Sequence, residues 1–178
     1  TRHNAGIWFI EHLARRYGGT FKEERKFFGR VATASDEGQE IRLLIPSTYM
    51  NESGKSVGAI AGFFKIPASQ ILIAHDELDF SIGKIRFKQG GGLAGHKGLR
   101  DIASHLGGDR DFNRLRIGVG HPGTSEQVTG HVLGKATSLD RKIIEQCIDE
   151  ALACMPLALK GEWDQAMNRL HNFEIGSE

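Results

Sequence analysis

Three short polar segments hold most of the residues able to do chemistry: Thr1-Arg2-His3-Asn4-Ala5-Gly6, Thr48-Tyr49-Met50-Asn51 and His75-Asp76-Glu77-Leu78-Asp79. His3 lies just ahead of an expected helix. The positive end of the helix dipole disfavours an imidazolium there and keeps the ring a free base near neutral pH. A carboxylate on the other ring nitrogen would fix the tautomer and stabilise the charge formed when the ring takes a proton from water. Asp76 is the candidate for that task. An amide such as Asn51 can donate to a carbonyl oxygen as it becomes an oxyanion. Such a base is worth about 10²–10⁴-fold and such a donor about 10²–10³-fold, which together suffice for an activated ester. Two plainer roles compete: Asn51 as a helix cap and Asp76 as a turn residue.

Regular elements must position these groups. Apolar residues at three- to four-residue spacing predict a helix over Ala5–Arg16, with Asn4 as N-cap and Gly18-Gly19 as its stop. Strands are expected around Phe27–Thr33 and Ile41–Ile45, split by the turn Ser35-Asp36-Glu37-Gly38. A helix follows over Ser53–Lys65, with Val57, Ile60, Ala61 and Phe64 inward. Ile71–Ala74 lacks polar alternation and reads as a strand buried on both faces, with the His75–Asp79 segment directly after it. Gly83–Gln89 alternates Ile85 and Phe87 with Lys84, Arg86 and Lys88, a half-exposed strand with its cations on one side. A helix over His96–Leu106, a strand over Arg114–Val119, a long helix from Thr137 and a last one over Trp163–Asn172 complete the order; Thr137 and Asp140 match a capping box. Alternating strands and helices predict one α/β domain over residues 1–178, a mixed central β-sheet with helices on both faces. Ligand sites in such sheets gather beyond the strands' carboxyl ends.

The 178 residues, 39% hydrophobic and 25% charged, fit a single globular domain. No apolar run reaches the roughly 18 residues of a membrane helix, so no membrane association is expected and the cytoplasm is the default compartment. Cys147 and Cys154 lie on one helical face and read as small core residues. The net charge of +1 hides an asymmetry. Phe80–Arg100 holds five Lys or Arg and no carboxylate, whereas Ser138–Asp164 holds six acids against three bases. One basic face suggests a polyanion, nucleic acid first among them, against the plainer reading of cations scattered around a strand and its loops.

Several motifs are incomplete. Gly54-Lys55-Ser56 ends like a P-loop, but Tyr49 stands where the first glycine belongs. Gly90–Gly95 contains a literal G-x-G-x-x-G, yet no acidic residue ends the next strand to take a ribose hydroxyl. A glycine-rich turn between Lys88 and Lys97 at a helix start still suits a phosphate. The eight histidines show no metal-ligand spacing. No metal or other cofactor is expected, the weighed exception being a zinc site assembled from His3, His75, His96 and His121. No G-x-S-x-G elbow is present.

Taken together, Thr1–Gly6, Pro46-Ser47-Thr48-Tyr49-Met50-Asn51, His75–Asp79, Gly90-Gly91-Gly92, Arg116-Ile117-Gly118-Val119-Gly120-His121-Pro122-Gly123 and Val132-Leu133-Gly134 strongly resemble bacterial-type peptidyl-tRNA hydrolase, in order and over essentially the whole chain. The resemblance implies a usually monomeric α/β domain that hydrolyses the ester joining a peptide to the 3′ end of tRNA, with peptidyl-tRNA as partner. It also implies that His3 is the base and Asp76 its orienter. Asn51 would contact the peptidyl portion beside Met50 and Tyr49, and His96 and Lys97 would belong to the substrate site. Arg86, Lys88 and Arg116 would lie toward the tRNA.

Two departures stand out. The family carries a strand and a Gly-x-Asn-Pro-Gly turn ahead of Thr-Arg-His, whereas this sequence starts at Thr1, so a removed leader or a fragment is expected, with His3 near a fraying end. The family's Gly-Gly-His-Asn-Gly is Ala94-Gly95-His96-Lys97-Gly98 here. A lysine can hold a phosphate but cannot accept a hydrogen bond. The competing function is an RNA-binding member of the fold that has lost the reaction.

Overall fold

Short connections decide how the first strands pair. In the computed structural model, which describes residues 4–49, 52–93, 95–120, 137–173 and 175, β2 (Gly29–Asp36) and β3 (Gln39–Pro46) are joined by Glu37 and Gly38 alone. Both turn residues are left-handed, with φ of 47° and 85°, which matches the twist of paired strands. Pairing then runs unbroken from Asp36↔Gln39 to Gly29↔Pro46. β1 (Lys22–Glu24) joins antiparallel to β2, a strand the sequence reading overlooked because its residues are all charged. Between them Arg25–Phe27 makes a 3-10 turn that Phe28 closes at a φ of 52°. Extended pairing therefore starts at Gly29, not at Phe27.

The chain divides into two compact units that interleave along the sequence. One comprises Leu13–Leu72 and Gln89–Asn113; the other comprises Thr1–His12, Ile73–Lys88 and Arg114–Glu178. In the first, the β1-β2-β3 sheet accompanies α2 (Ser53–Phe63) and α3 (Lys97–His105). β3 turns Ile41, Leu43 and Ile45 inward, and α2 buries Val57, Ile60 and Ala61. The Gly54 N–H donates to Asp101 Oδ2 at 2.7 Å, fixing the start of α2 to α3. Phe64, expected inward, is 36% exposed. The helix ends at Phe63, so Phe64 leaves its apolar stripe and lies instead beneath the Arg42 guanidinium at 3.7 Å.

The second unit holds all but the end residues Leu72, Gln89 and Asn113 of β4 (Leu72–Glu77), β5 (Ile85–Gln89) and β6 (Asn113–Gly118), together with α4 (Ser138–Leu159), α5 (Trp163–His171) and the first half of α1 (Ala5–Tyr17). The order of these strands in their sheet is β4-β6-β5. Asn113 N–H donates to Ile71 C=O and Val119 N–H to Glu77 C=O; the numbers rise together, so β4 and β6 are parallel. Gly118 N–H donates to Lys84 C=O and Gly90 N–H to Phe112 C=O; the numbers oppose, so β5 and β6 are antiparallel. The α/β class and mixed pairing expected from the sequence are thus present, with the described strands shared between two sheets.

Other expectations meet the same residues. Thr137 Oγ1 accepts from the Asp140 N–H at 3.1 Å, capping α4. Cys147 and Cys154 are buried and are not joined in a disulfide. β4 differs from its expected extent. It does not stop at Ala74, because pairing with β6 carries it through His75, Asp76 and Glu77, all buried. Among the described residues no helix is long and apolar enough to cross a membrane.

Candidate active site

β4 delivers two carboxylates to opposite sides of one sheet. Successive side chains alternate across a strand, so Asp76 and Glu77 diverge although both are only 4% exposed. Asp76 shares a strand face with Ala74. Against that part of β4 lies the first turn of α1, and the approach is so close that a Cβ on Gly6 would fall on the Ala74 carbonyl oxygen. Only glycine fits there. The start of α1 is thereby held at the strand that carries Asp76. Beside it, His75 Nδ1 donates to the Asp76 carbonyl at 2.8 Å.

Glu77 serves the other face. Its Oε1 accepts from Arg116 Nη2 at 3.1 Å, with the two side chains 6% and 19% exposed. Two-residue steps from the Gly118–Lys84 bond set Arg116 across from Arg86 and Arg114 across from Lys88. Like charges directly opposite one another destabilise a sheet. Burial, then Arg114 and Arg116, holds the Lys88 ammonium below its ordinary value, with Glu77 opposing. Arg114, 1% exposed, is held down in the same way by burial and then Arg116. Arg86, Lys88, Arg114 and Arg116 thus share with Glu77 a face suited to an anion. Arg86, Lys88 and Arg116 are singled out by the family resemblance, whereas Arg114 and Glu77 are not. The signal was present in the i, i+2 spacing of Arg114 and Arg116.

In the other unit, His96 caps α3. The Leu99 N–H donates to its Nδ1 at 3.2 Å, so a neutral ring carries its proton on Nε2. Lys97, the next residue, is exposed. Tyr49 is 81% exposed. His3, Met50 and Asn51 lie outside the described residues. Among the described residues no group of three or more His, Cys, Asp or Glu could hold a metal ion.

Fold and site together define an α/β protein with a buried acid at a strand's carboxyl end and a cation-rich sheet face. The family model described as peptidyl-tRNA hydrolase matches residues 1–178. The chain is 55% identical over 174 residues to the peptidyl-tRNA hydrolase of Alcanivorax borkumensis, covering 98% of this chain and 89% of that one. To that of Edwardsiella ictaluri it is 53% identical over 177 residues, covering 99% and 90%. The crystal structure of peptidyl-tRNA hydrolase from Acinetobacter baumannii superposes with a TM-score of 0.94 at 50% identity, covering 98% of this chain and 88% of that one. The chain belongs to the peptidyl-tRNA hydrolase family and is a hydrolase.

Proposed function

We propose that the chain hydrolyses the ester between a peptide and the 3′ end of tRNA. His3 takes a proton from water, and the resulting hydroxide attacks the ester carbonyl carbon. The tetrahedral intermediate then collapses, and the 3′ ribose oxygen leaves with a proton. Asp76 holds the imidazole in the productive tautomer and offsets its charge. Asn51, with Met50 and Tyr49 beside it, binds the peptidyl portion, and its amide can donate to the developing oxyanion. His96 and Lys97 meet the RNA 3′ end. Arg86, Lys88 and Arg116 face the phosphate backbone, with Arg114 adding to the positive field.

The observation that carries this reading is the contact of Gly6 with the Ala74 carbonyl. His3 is three residues before Gly6, and three residues of extended chain reach about 10 Å at most. Asp76 is two residues beyond Ala74. A base at position 3 is therefore within reach of that carboxylate without any long connection. The test is His3→Ala assayed on N-acetyl-aminoacyl-tRNA. Turnover should fall by about 10²–10⁴-fold while binding of deacylated tRNA persists. Full turnover in that variant would remove His3 from the mechanism.

A further inference from the structure

We infer that Phe80 is a positioning residue: its ring, with the Glu77 carboxylate, holds the Arg116 guanidinium in the pose that meets tRNA. The inference rests on the reading of Arg116 as an RNA-facing cation. Arg116 Cζ lies 4.3 Å from the Phe80 ring centroid, and Lys84 Nζ lies 4.7 Å from the same centroid. One aromatic ring thus gathers two cations, and each is attracted by the negative π face.

The two holders of Arg116 are themselves tied together. Phe80 N–H donates to the Glu77 carbonyl at 3.4 Å, and the Phe80 carbonyl accepts from Gly120 N–H at 2.9 Å. The chain leaving β4 is thereby folded back over β6. Gly118 makes room for it, since a Cβ there would stand 2.7 Å from the Lys84 carbonyl oxygen and 3.0 Å from Phe80 Cβ. Arg116 is consequently held on one edge by an ion pair and on its plane by a ring. A guanidinium so held loses less freedom on meeting a phosphate than one waving in water. The surrounding charge works the other way. Arg86 lies across the strand pair, and Arg114 and Lys88 follow on the same face. Without its two tethers, Arg116 would swing out to escape them.

The test compares Phe80→Leu, which keeps an apolar side chain without a π face, with Phe80→Tyr, which keeps the ring. Arg116→Ala and the Phe80→Leu/Arg116→Ala double variant complete the set. Substrates are N-acetyl-aminoacyl-tRNA and the same ester on a trinucleotide. Phe80→Leu should raise KM for the tRNA substrate about three- to tenfold with little change in kcat, from the loss of one part-buried cation–π contact and its ordering effect. Phe80→Tyr should restore the wild-type value. The trinucleotide ester should be cleaved alike by both. In the double variant the loss should equal that of Arg116→Ala alone, because the ring has nothing left to position. If Arg116→Ala raises KM but Phe80→Leu does not, or if their effects multiply, the positioning role of Phe80 falls and the RNA contact of Arg116 stands. If Arg116→Ala leaves KM unchanged, the RNA-facing reading of Arg116 fails and the inference fails with it. If the Phe80→Leu chain is too unstable to assay, Phe80→Met, which also lacks a π face, replaces it: the same rise in KM is expected, and an unchanged KM overturns the positioning role.

Discussion

Gly6→Ala probes the link between α1 and β4 most directly. The added Cβ would land on the Ala74 carbonyl oxygen and 2.9 Å from the carbonyl carbon. Both partners are backbone, so neither can rotate away, and the helix start must retreat by on the order of one ångström. Overpacking of this kind costs about 1–3 kcal/mol. At this chain length that lowers Tm by about 2–4 °C for each kcal/mol. The chemical loss should be larger than the stability loss suggests. On the proposed roles of His3 and Asp76, a base displaced from its orienting carboxylate by about an ångström forfeits on the order of 10²-fold in rate. Single-turnover hydrolysis of N-acetyl-aminoacyl-tRNA reads that rate, and a thermal melt reads the first effect. Gly62→Ala is the control, since no heavy atom lies within 4 Å of its added Cβ and alanine suits a helix better than glycine. A Gly6→Ala chain that melts within about 1 °C of the parent and keeps its rate within about twofold would refute the argument that this contact positions the site.

His171 should make stability depend on pH. Its Nε2 lies 3.1 Å from both the Phe87 nitrogen and the Phe87 carbonyl oxygen, so one tautomer accepts from the amide and the other donates to the carbonyl. Burial, then Arg86, lowers its pKa, and the bond to Phe87 opposes the shift. The unfolded chain therefore binds the proton more readily. The contribution is complete above about pH 6.5 and is lost as pH falls through the lower folded value. Urea melts from pH 7.5 to pH 5 should show this loss, and His171→Gln should flatten it. The Cys154 thiol is pushed up by burial first, and Cys147 is buried two turns earlier in α4. Iodoacetamide at pH 8 should leave both unmodified in the folded chain and label both in denaturant; ready labelling of the native protein would contradict their place in the core.

Periodicity made the helices legible. Ala5–Tyr17 and Ser53–Phe63 lie within a residue or two of their expected ends, because an apolar stripe is a repeating signal. The tail of β4 was harder to see. His75-Asp76-Glu77 has the composition of a loop, and only pairing with β6, distant in sequence, makes it strand. β1 failed for a related reason, since Lys22-Glu23-Glu24 has no apolar face to betray pairing. The candidate site was half visible. Residue type marked His3, Asn51 and Asp76, although His3, Met50 and Asn51 fall outside the described residues. Glu77 looked like a second acid in the same loop, and its partner is 39 residues away on β6. Phe80 carried no signal at all, because a lone aromatic beside a turn acquires its role only from the cations folded onto it.

The alternation of Asp76 and Glu77 restricts how this segment can change length. Were one residue inserted or deleted within β4 while its pairing to β6 was kept, every later side chain would pass through the sheet. Glu77 would arrive at the face of α1 and the acid of position 76 would arrive among the arginines. Changes of two residues would preserve the assignment, and changes of one would exchange it. Single-residue length variation therefore belongs in the connections that flank β4 and not within the strand itself.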